Sequence, residues 1–352
     1  MKPYRGGLLL GIDTSCDDTA AAVVKDGREI LSSAVASQVE VHRPFGGVVP
    51  EIASRRHLVA ILPVIRRALD EAGIAPQDLD GVAATYGPGL VGSLLVGFMA
   101  GKALALAIDR PFVGVDHLEG HASSIWLARP ALDQPAVVLV ASGGHTELLY
   151  VRRPGRFESL GGTRDDAAGE AFDKVGRLLG LGYPAGPAVD RLSERGRPDA
   201  VRLPRGLSEV DTLDLSFSGL KTAASRYMLP AVRDGRLSLE DAAASLQEAI
   251  VDVLVDRLMR AAERTGARVV AATGGVAANR GLRRALSRAA QERALDLILP
   301  EPALCTDNGA MIAAAGHFRL LDEGPSDTAL AVDPSARIPQ ANIGADTPVG
   351  KG

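Results

Sequence analysis

Cysteine is scarce in this chain. Only Cys16 and Cys305 occur among 352 residues. Two thiols cannot build the disulfide framework of a secreted scaffold, and such low usage favours a reducing compartment. The apolar run near the N-terminus meets Asp13 too early to serve as a signal peptide. We therefore expect a cytoplasmic protein.

The chain also lacks an excess of positive charge. Its formal net charge is −4, from 39 Lys and Arg against 43 Asp and Glu. An acidic protein has no global attraction for nucleic acid, so any such partner must bind a local basic patch. Three groups of arginines are candidates for such a patch: Arg55 with Arg56, then Arg191, Arg195, Arg197, Arg202 and Arg205, and then Arg280, Arg283, Arg284 and Arg288. The alternative interpretation of each group is a solvated helix face.

No uninterrupted apolar stretch is long enough to indicate a membrane span. Residues 90–108 come closest, but Lys102 and several small residues interrupt them. The pattern predicts a buried helix with a small-residue face for close packing, and no membrane partner.

A repeated hairpin is the clearest structural signal. Residues 8–13 and 20–24 form two apolar segments around a turn rich in hydroxyls and carboxylates, and residues 136–141 and 147–151 repeat this around a glycine turn. The length suits two domains of about 150 to 180 residues. The repeat predicts a duplicated fold with a site between its halves.

His117 and His121 are the strongest candidates for chemistry. Four residues apart on a helix, they share one face and could bind one metal ion. Glu119 follows His117 by two residues, so the His-Glu-x-x-His spacing of zinc peptidases is absent. The alternative is a pair of structural histidines, and only a third ligand would decide. Asp307 is a candidate for it, although an aspartate at that place also suits a helix N-cap.

Further polar residues stand at element ends in the second half. Asp173 and Asp190 flank a glycine-rich stretch, residues 180–187, and carboxylates beside such a loop often bind sugar hydroxyls. A solvated helix face is the alternative. Asp165 and Asp166 precede an apolar pattern and are interpreted as helix caps. Residues 273–279 form a glycine turn between a strand and a helix, which suits a nucleotide but is a weak signal alone.

Taken together, the motifs resemble those of the tRNA N6-adenosine threonylcarbamoyltransferase family, in its bacterial form. The resemblance runs in order from about residue 8 to about residue 320. The motifs that carry it are residues 12–18, His117-x-x-x-His121, Ser142-Gly143-Gly144-His145, residues 165–174, residues 216–221, Gly274-Gly275-Val276-x-x-Asn279 and residues 305–310.

The resemblance implies an α/β fold with two duplicated lobes of the actin, sugar-kinase and chaperone ATPase superfold around a central cleft. We expect an N-terminal lobe over residues 1–130 with the first hairpin and the metal histidines. A C-terminal lobe over residues 131–334 would hold the nucleotide-binding loops and Asp307, and its last helix could pack back on the first lobe. Residues 335–352 would form a disordered tail.

The resemblance also implies site residues. A divalent metal, Fe²⁺ ahead of Zn²⁺, would be bound by His117, His121 and Asp307. Asp17 matches a position implicated in catalysis. Relatives usually carry glutamate where this chain has Asp13 and Asp18, a departure that keeps the charge. The residues that would bind threonylcarbamoyl-AMP are Val140, Ala141, Ser142, Gly143 and Gly144 near its acyl phosphate, and Asp173, Gly186, Asp190 and Asn279 around its adenosine.

The expected reaction is transfer of the L-threonylcarbamoyl group from threonylcarbamoyl-AMP to N6 of adenosine 37. The substrates would be tRNAs that read codons beginning with A, and AMP would be released. The expected protein partners are a shorter paralogous subunit and an ATPase. The alternative is an ATP-dependent small-molecule kinase or ATPase of the same superfold, which would have no use for the two histidines and Asp307.

Overall fold

The computed structural model describes residues 4–341. Its first half forms a five-stranded sheet in the order β3-β2-β1-β4-β5. The central strand pairs antiparallel with β2 on one side and parallel with β4 on the other. The strands are β1 (Leu8–Asp13), β2 (Asp18–Lys25), β3 (Glu29–Ser37), β4 (Gly81–Gly87) and β5 (Phe112–Asp116).

The second half repeats this plan. Its sheet has the order β10-β9-β6-β7-β8, in which β6 pairs antiparallel with β7 and parallel with β9. The strands are β6 (Ala136–Ala141), β7 (Thr146–Arg153), β8 (Arg156–Gly162), β9 (Val269–Thr273) and β10 (Asp296–Ile298). Each sheet has one antiparallel hairpin extension and two added parallel strands, so the predicted duplication is confirmed. We call the two units the first and second lobes.

Helices cover both faces of each sheet. Parallel strands need this cover because both of their faces are apolar. The helices are α1 (Val39–His42), α2 (Pro50–Ala72), α3 (Val91–Ala107), α4 (His117–Ala128), α5 (Ala168–Leu178), α6 (Gly186–Ser193), α7 (Ser218–Ala223), α8 (Leu229–Arg233), α9 (Leu239–Thr265), α10 (Arg280–Glu292), α11 (Pro302–Cys305) and α12 (Gly309–Asp322).

Two helices cross between the lobes. Ile125 and Trp126 of α4 are buried in a core that includes Val138 and Val140 of the second sheet. Met311, Ile312 and Ala315 of α12 are buried in a core with Leu9, Ala83 and Val113 of the first sheet. The last helix therefore packs on the first lobe. The domain boundary at residue 130 stays a prediction, since α4 precedes it in sequence yet packs on the second sheet.

Close backbone packing fixes α12 on β1. A methyl group built on Gly11 would lie 2.1 Å from the carbonyl oxygen of Gly309, and one on Gly309 would lie 2.4 Å from the amide nitrogen of Ala22. Only glycine permits this approach. The start of α12, and with it Asp307 just upstream, is thereby held against the hairpin of the first lobe.

The predicted tail is partly wrong. Within residues 335–341, Ile338 is 4% exposed, and Gln340 forms a parallel bridge with Ser159. The amide of Ala341 also donates to the carbonyl of Ser159 at 2.7 Å. Proline and glycine content suggested disorder, but Ile338 buries its side chain in the core that contains Trp126. Residues 342–352 of the predicted tail lie outside the described residues.

The stretch over residues 90–108 is helix α3, packed on α2 and on the first sheet. Within residues 4–341, no helix combines the length and the apolar character that a bilayer crossing requires.

Candidate metal centre and cleft

The site begins where the parallel strands of the first lobe end. β1 ends at Asp13 and β5 at Asp116, and the carboxyl ends of parallel strands meet at one sheet edge. Asp116 is the N-cap of α4, and its carboxylate accepts the amides of Leu118 at 2.8 Å and Glu119 at 3.3 Å. This cap fixes the start of α4, and His117 and His121 project one turn apart from the same face of that helix.

Three predicted ligands converge. Nε2 of His121 lies 3.2 Å, and Nε2 of His117 lies 3.6 Å, from Oδ1 of Asp307. One donor atom from each residue lies within 4.8 Å of the other two, a spacing that suits one ion. Asp307 is not an N-cap, because Asn308 occupies that position and accepts the amide of Met311. Apart from this approach of Nε2 to Asp307, the two ring nitrogens of His121 are buried without a hydrogen-bond partner among the described residues, which leaves Nε2 available to an ion.

The charges of these groups are coupled. Burial disfavours the protonated His117 ring, but Asp13 and Asp307 outweigh this effect and raise its pKa to about 9. Burial acts to raise the pKa of Asp307, yet His117 and His121 hold that pKa well below its usual range. The pKa of His145, which neighbours His117, falls to about 4 because of burial and the two nearby imidazoles. The carboxylates of Asp13 and Asp307 therefore favour a proton on His117, and a metal ion would have to displace that proton to bind there.

The other edge of the His117 ring is also held. Its Nδ1 lies 3.1 Å from Oγ of Ser15 and 3.4 Å from Oδ2 of Asp13. Oδ1 of Asp13 in turn accepts Oγ1 of Thr85 at 2.8 Å. Carboxylates placed in this way orient a ligating imidazole and fix its tautomer. From the sequence, Asp13 stood out only as a departure from glutamate, although its position at a strand end could have revealed the contact.

A cleft of about 470 Å³ opens beside the three ligands. Its walls come from both lobes, which agrees with the predicted site between duplicated halves. The lining residues are Ser15, Cys16, Asp17, Gly46, Gly47, Val48, Pro88, Gly89, Leu90, His117, Ser142, Gly143, Gly144, His145, Glu170, Asp173, Lys174, Arg177, Tyr183 and Asp307. Asp17, predicted to be catalytic, thus faces the same space as His117 and Asp307.

Some of the predicted substrate residues line this cleft directly. Gly143 and Gly144 border open space, since a methyl group on either would meet no atom within 4 Å. Ser142 precedes them, and its amide donates to the carbonyl of His145 at 2.8 Å, which closes the turn. Asp173 accepts the amide of Gly186 at 3.3 Å, so Asp173 and the start of α6 form one unit. The exposed turn over residues 142–145 can present its backbone amides to an anion.

Other predicted substrate residues have structural contacts. Asp190 accepts Nε of Arg280 at 2.8 Å, and Asn279 caps α10 through the amide of Leu282 at 2.8 Å. Neither lines the cleft described above. Val140 and Ala141 are fully buried within β6, so their side chains lie in the core and only their backbone could reach a ligand. The proposed binding roles of these four residues stay predictions.

The interpretation of Asp165 and Asp166 as caps of the following helix is wrong. That helix, α5, has Ala167 as its N-cap, with no side-chain cap. Asp165 instead accepts the amides of Phe217 and Ser218 at 2.8 and 3.2 Å, and so caps α7, far along the chain. Asp166 pairs with Lys174 at 2.6 Å. Local patterns identify a carboxylate suited to capping but not the helix that it caps.

Many of the arginines predicted to contact tRNA are already engaged. Arg55 pairs with Glu51, Arg197 with Asp241, Arg205 with Asp252, Arg280 with Asp190, and Arg284 with Glu194. Arg283 donates to the carbonyls of Ala277, Leu299 and Pro300. A paired guanidinium offers less to a phosphate. The remaining candidates, for which residues 4–341 provide no ion-pair partner, are Arg56, Arg191, Arg195, Arg202 and Arg288.

Solved structures agree on the fold. HypF of T. kodakarensis superposes with a TM-score of 0.60 at 16% identity, over 91% of this chain and 48% of that one. Component A of (R)-2-hydroxyglutaryl-CoA dehydratase from Acidaminococcus fermentans superposes with a TM-score of 0.53 at 15% identity, over 90% of this chain and 100% of that one. The chain is thus a two-lobed protein of the actin, sugar-kinase and chaperone ATPase superfold, with a two-histidine, one-aspartate cluster in its cleft.

Sequence comparison identifies the family within that superfold. The chain belongs to the tRNA N6-adenosine threonylcarbamoyltransferase family, whose profile matches residues 29–314. A family member from Symbiobacterium thermophilum is 56% identical over 90% of this chain and 93% of its own length. One from Geotalea uraniireducens is 53% identical over 89% and 91%, and one from Clostridium perfringens is 47% identical over 94% and 98%. These relatives confirm the family resemblance of the motifs.

Proposed function

We propose that this protein transfers the L-threonylcarbamoyl group from threonylcarbamoyl-AMP to N6 of adenosine 37 of tRNAs that read codons beginning with A, and that AMP leaves. The observation that carries the proposal is the convergence of His117, His121 and Asp307 beside the Gly143–Gly144 turn and Asp17 in one cleft. We place the reaction in the cytoplasm, in keeping with the two free thiols.

The residues divide the chemistry between them. A divalent cation held by His117, His121 and Asp307, Fe²⁺ ahead of Zn²⁺, would polarise the carbamoyl carbonyl as a Lewis acid. The amides of Gly143 and Gly144 would donate to the oxyanion that develops as the amine attacks. The Asp17 carboxylate would accept the proton that the exocyclic amine loses. The unit of Asp173 and Gly186 would hold the adenosine of the donor.

The test is direct transfer. Purified protein, its partners, threonylcarbamoyl-AMP and unmodified tRNA are incubated, and the modified nucleoside is measured by mass spectrometry. His121→Ala and Asp307→Ala should lose both metal content and product, whereas Asp17→Asn should keep the metal and lose product. His317→Asn is the matched control, because His317 is a buried histidine on α12 that hydrogen-bonds Tyr4. Full transfer by the two metal-ligand variants would overturn the proposal.

An exposed apolar face supports the predicted protein partner. Leu58, Leu62, Val91, Leu95 and Met99 are 45% to 68% exposed. The first two are one turn apart on α2 and the others are one turn apart on α3, so each set shares a helix face. Adjacent apolar faces of this kind mark protein interaction sites. We infer that the shorter paralogous subunit covers this α2/α3 face, and an ATPase is the second partner proposed.

This inference has its own test. Leu62→Asp and Met99→Asp should abolish co-elution with the paralogous subunit in size-exclusion chromatography, because a charge would be buried without a partner. Leu321→Asp is the matched control, since Leu321 is 52% exposed on α12, a different helix. If the complex survives both substitutions on the α2/α3 face, the partner binds elsewhere.

A further inference from the structure

His57 is a fully buried histidine on α2, outside the metal cluster. Its ring hydrogen-bonds on both sides to the turn of the first hairpin. Nδ1 lies 2.8 Å from Oγ1 of Thr19, and Nε2 lies 3.0 Å from the carbonyl oxygen of Cys16. A third contact, from Nε2 of Gln38 to Nδ1, is longer at 3.4 Å. The ring therefore ties α2 to both ends of a four-residue segment, from Cys16 to Thr19.

The partners fix the tautomer. The Cys16 carbonyl can only accept, so Nε2 must carry the hydrogen. Nδ1 then accepts from the Thr19 hydroxyl, provided that the ring is neutral. Burial lowers the pKa of His57, which favours this neutral form. Nε2 of His57 is thus the donor in the hydrogen bond to the Cys16 carbonyl, and both ring nitrogens have a partner.

The Cys16 carbonyl belongs to the peptide that links Cys16 to Asp17. The plane of that peptide sets the direction in which Asp17 leaves the backbone. Earlier in the turn, the Ser15 carbonyl accepts the amide of Leu90 at 2.9 Å, and the Ser15 hydroxyl contacts His117. Among the described hydrogen bonds from side chains to the backbone of this turn, the bond from His57 to the Cys16 carbonyl is therefore the nearest to Asp17.

We propose that His57 is a positioning residue that fixes the Cys16–Asp17 peptide and thereby aims the Asp17 carboxylate into the cleft. This inference rests on the proposed role of Asp17. A merely structural histidine would affect stability alone, whereas a positioning residue affects turnover according to whether the bond to the Cys16 carbonyl is kept. The two possibilities differ in how the enzyme responds to matched replacements.

Replacement of His57 by glutamine or by asparagine distinguishes a positioning role from a purely structural one. The amide nitrogen of Gln extends about as far as Nε2 of His, whereas that of Asn extends only about as far as Nδ1. His57→Asn should lower kcat about 10- to 100-fold with little change in KM for tRNA or in metal content, because small misplacements of a reacting group are costly. His57→Gln should restore kcat to within a few-fold of the unsubstituted enzyme. His317→Asn again controls for the loss of a buried imidazole.

A second measurement reads the turn without using activity. Cys16 lines the cleft while Cys305 is fully buried, so the alkylation rate of Cys16, followed by peptide mass spectrometry, reports on this turn. The rate should rise several-fold in His57→Asn and stay near the unsubstituted value in His57→Gln. If His57→Asn does not fold, Thr19→Val, which removes the donor to Nδ1, should shift alkylation and kcat in the same direction.

The outcomes are separable. Equal kcat in the Asn and Gln variants, whether both are low or both are unchanged, would overturn the positioning role. Unchanged Cys16 alkylation in His57→Asn would do the same. If the unsubstituted protein with its partners transfers nothing to tRNA, the proposed function fails, and the alkylation experiment still decides whether His57 fixes the turn.

Discussion

Oδ2 of Asp13 lies 3.4 Å from Nδ1 of His117, while Nε2 of the same ring lies 3.6 Å from Oδ1 of Asp307. The imidazole is thus held between a carboxylate at the end of β1 and a carboxylate just before α12. Because α12 comes from the second half of the chain, the orientation of the His117 ring depends on both halves. A buried carboxylate behind a ligating imidazole increases the basicity of the ring and fixes its orientation.

This contact predicts an effect on metal affinity. Asp13→Ala should weaken metal binding about 10- to 100-fold, since the ring loses the group that orients it. Titration of Fe²⁺ or Zn²⁺ into the metal-free protein, monitored by calorimetry, measures the change in affinity. Asp296→Asn, at an exposed carboxylate that pairs with Arg129, should leave affinity unaltered. Asp13→Ala with unaltered affinity would mean that Ser15 alone orients His117.

A second prediction concerns the buried Arg257, which is 1% exposed. Its Nε donates to the carbonyl of Asp214 at 2.9 Å, an Nη donates to the carbonyl of Leu207 at 2.5 Å, and it pairs with Asp256. Arg257→Ala would leave two carbonyls without their donor. We expect a loss of about 3 kcal/mol in the free energy of unfolding, measured by chemical denaturation.

The neighbouring Arg260 provides the comparison. It also pairs with Asp256, but its side chain is 35% exposed. Arg260→Ala should cost under about 1 kcal/mol, as solvent-exposed ion pairs usually do. Similar losses for the two substitutions would show that burial of Arg257 adds nothing to its contribution.

The sequence predicted the repeated units well because their signals are local. The two hairpins and the helix over residues 90–108 follow from apolar runs bounded by turn residues, and the structure has them within a few residues. The convergence of three residues on one candidate metal site was harder to predict. The spacing of His117 and His121 indicated a shared helix face, but Asp307 as the third ligand came from family resemblance, since no local pattern joins residues so far apart.

The failures share one physical cause. Asp165 suits a helix cap, and it does cap a helix, but α7 rather than α5. Ile338 lies in a segment rich in turn-forming residues, yet it is buried against the second sheet. In both cases the deciding partner lies far along the chain, where local propensity carries no information.

A third prediction concerns stability in acid. His317 is 6% exposed, and its burial lowers its pKa from 6.5 to about 4. Above pH 6.5 the ring is neutral in both states and has no effect. As the pH falls from 6.5 towards 4, the unfolded chain binds a proton that the folded protein does not, so stability is lost.

The variant His317→Gln isolates this effect. Between pH 7 and pH 4.5, the unsubstituted protein should lose about 2 kcal/mol more unfolding free energy than the variant, after allowance for solvent screening. Urea denaturation at the two pH values provides the difference, from which the contributions of other groups cancel. Parallel pH curves for the two proteins would show that His317 does not stay neutral on acidification.

The last prediction concerns the packing of α12 and its effect on the candidate metal site. A methyl group on Gly11 would lie 2.1 Å from the Gly309 carbonyl oxygen and 2.3 Å from the Ala313 amide nitrogen, so Gly11→Ala must push α12 away from β1. Such overpacking should cost about 1 to 3 kcal/mol of stability. Because Asp307 lies two residues before α12, next to its N-cap Asn308, its carboxylate should move from the two imidazoles, and metal affinity should fall together with stability.

Gly219→Ala provides the control, since a methyl group there would meet only Cγ of Pro204 at 3.9 Å. Metal titration and denaturation of both variants test the link between packing and affinity. If Gly11→Ala lowers stability while metal affinity stays unchanged, Asp307 is held by contacts other than the packing of α12 on β1. Affinity and stability that fall together in Gly11→Ala, but not in Gly219→Ala, would show that the close glycine packing holds the third ligand in place.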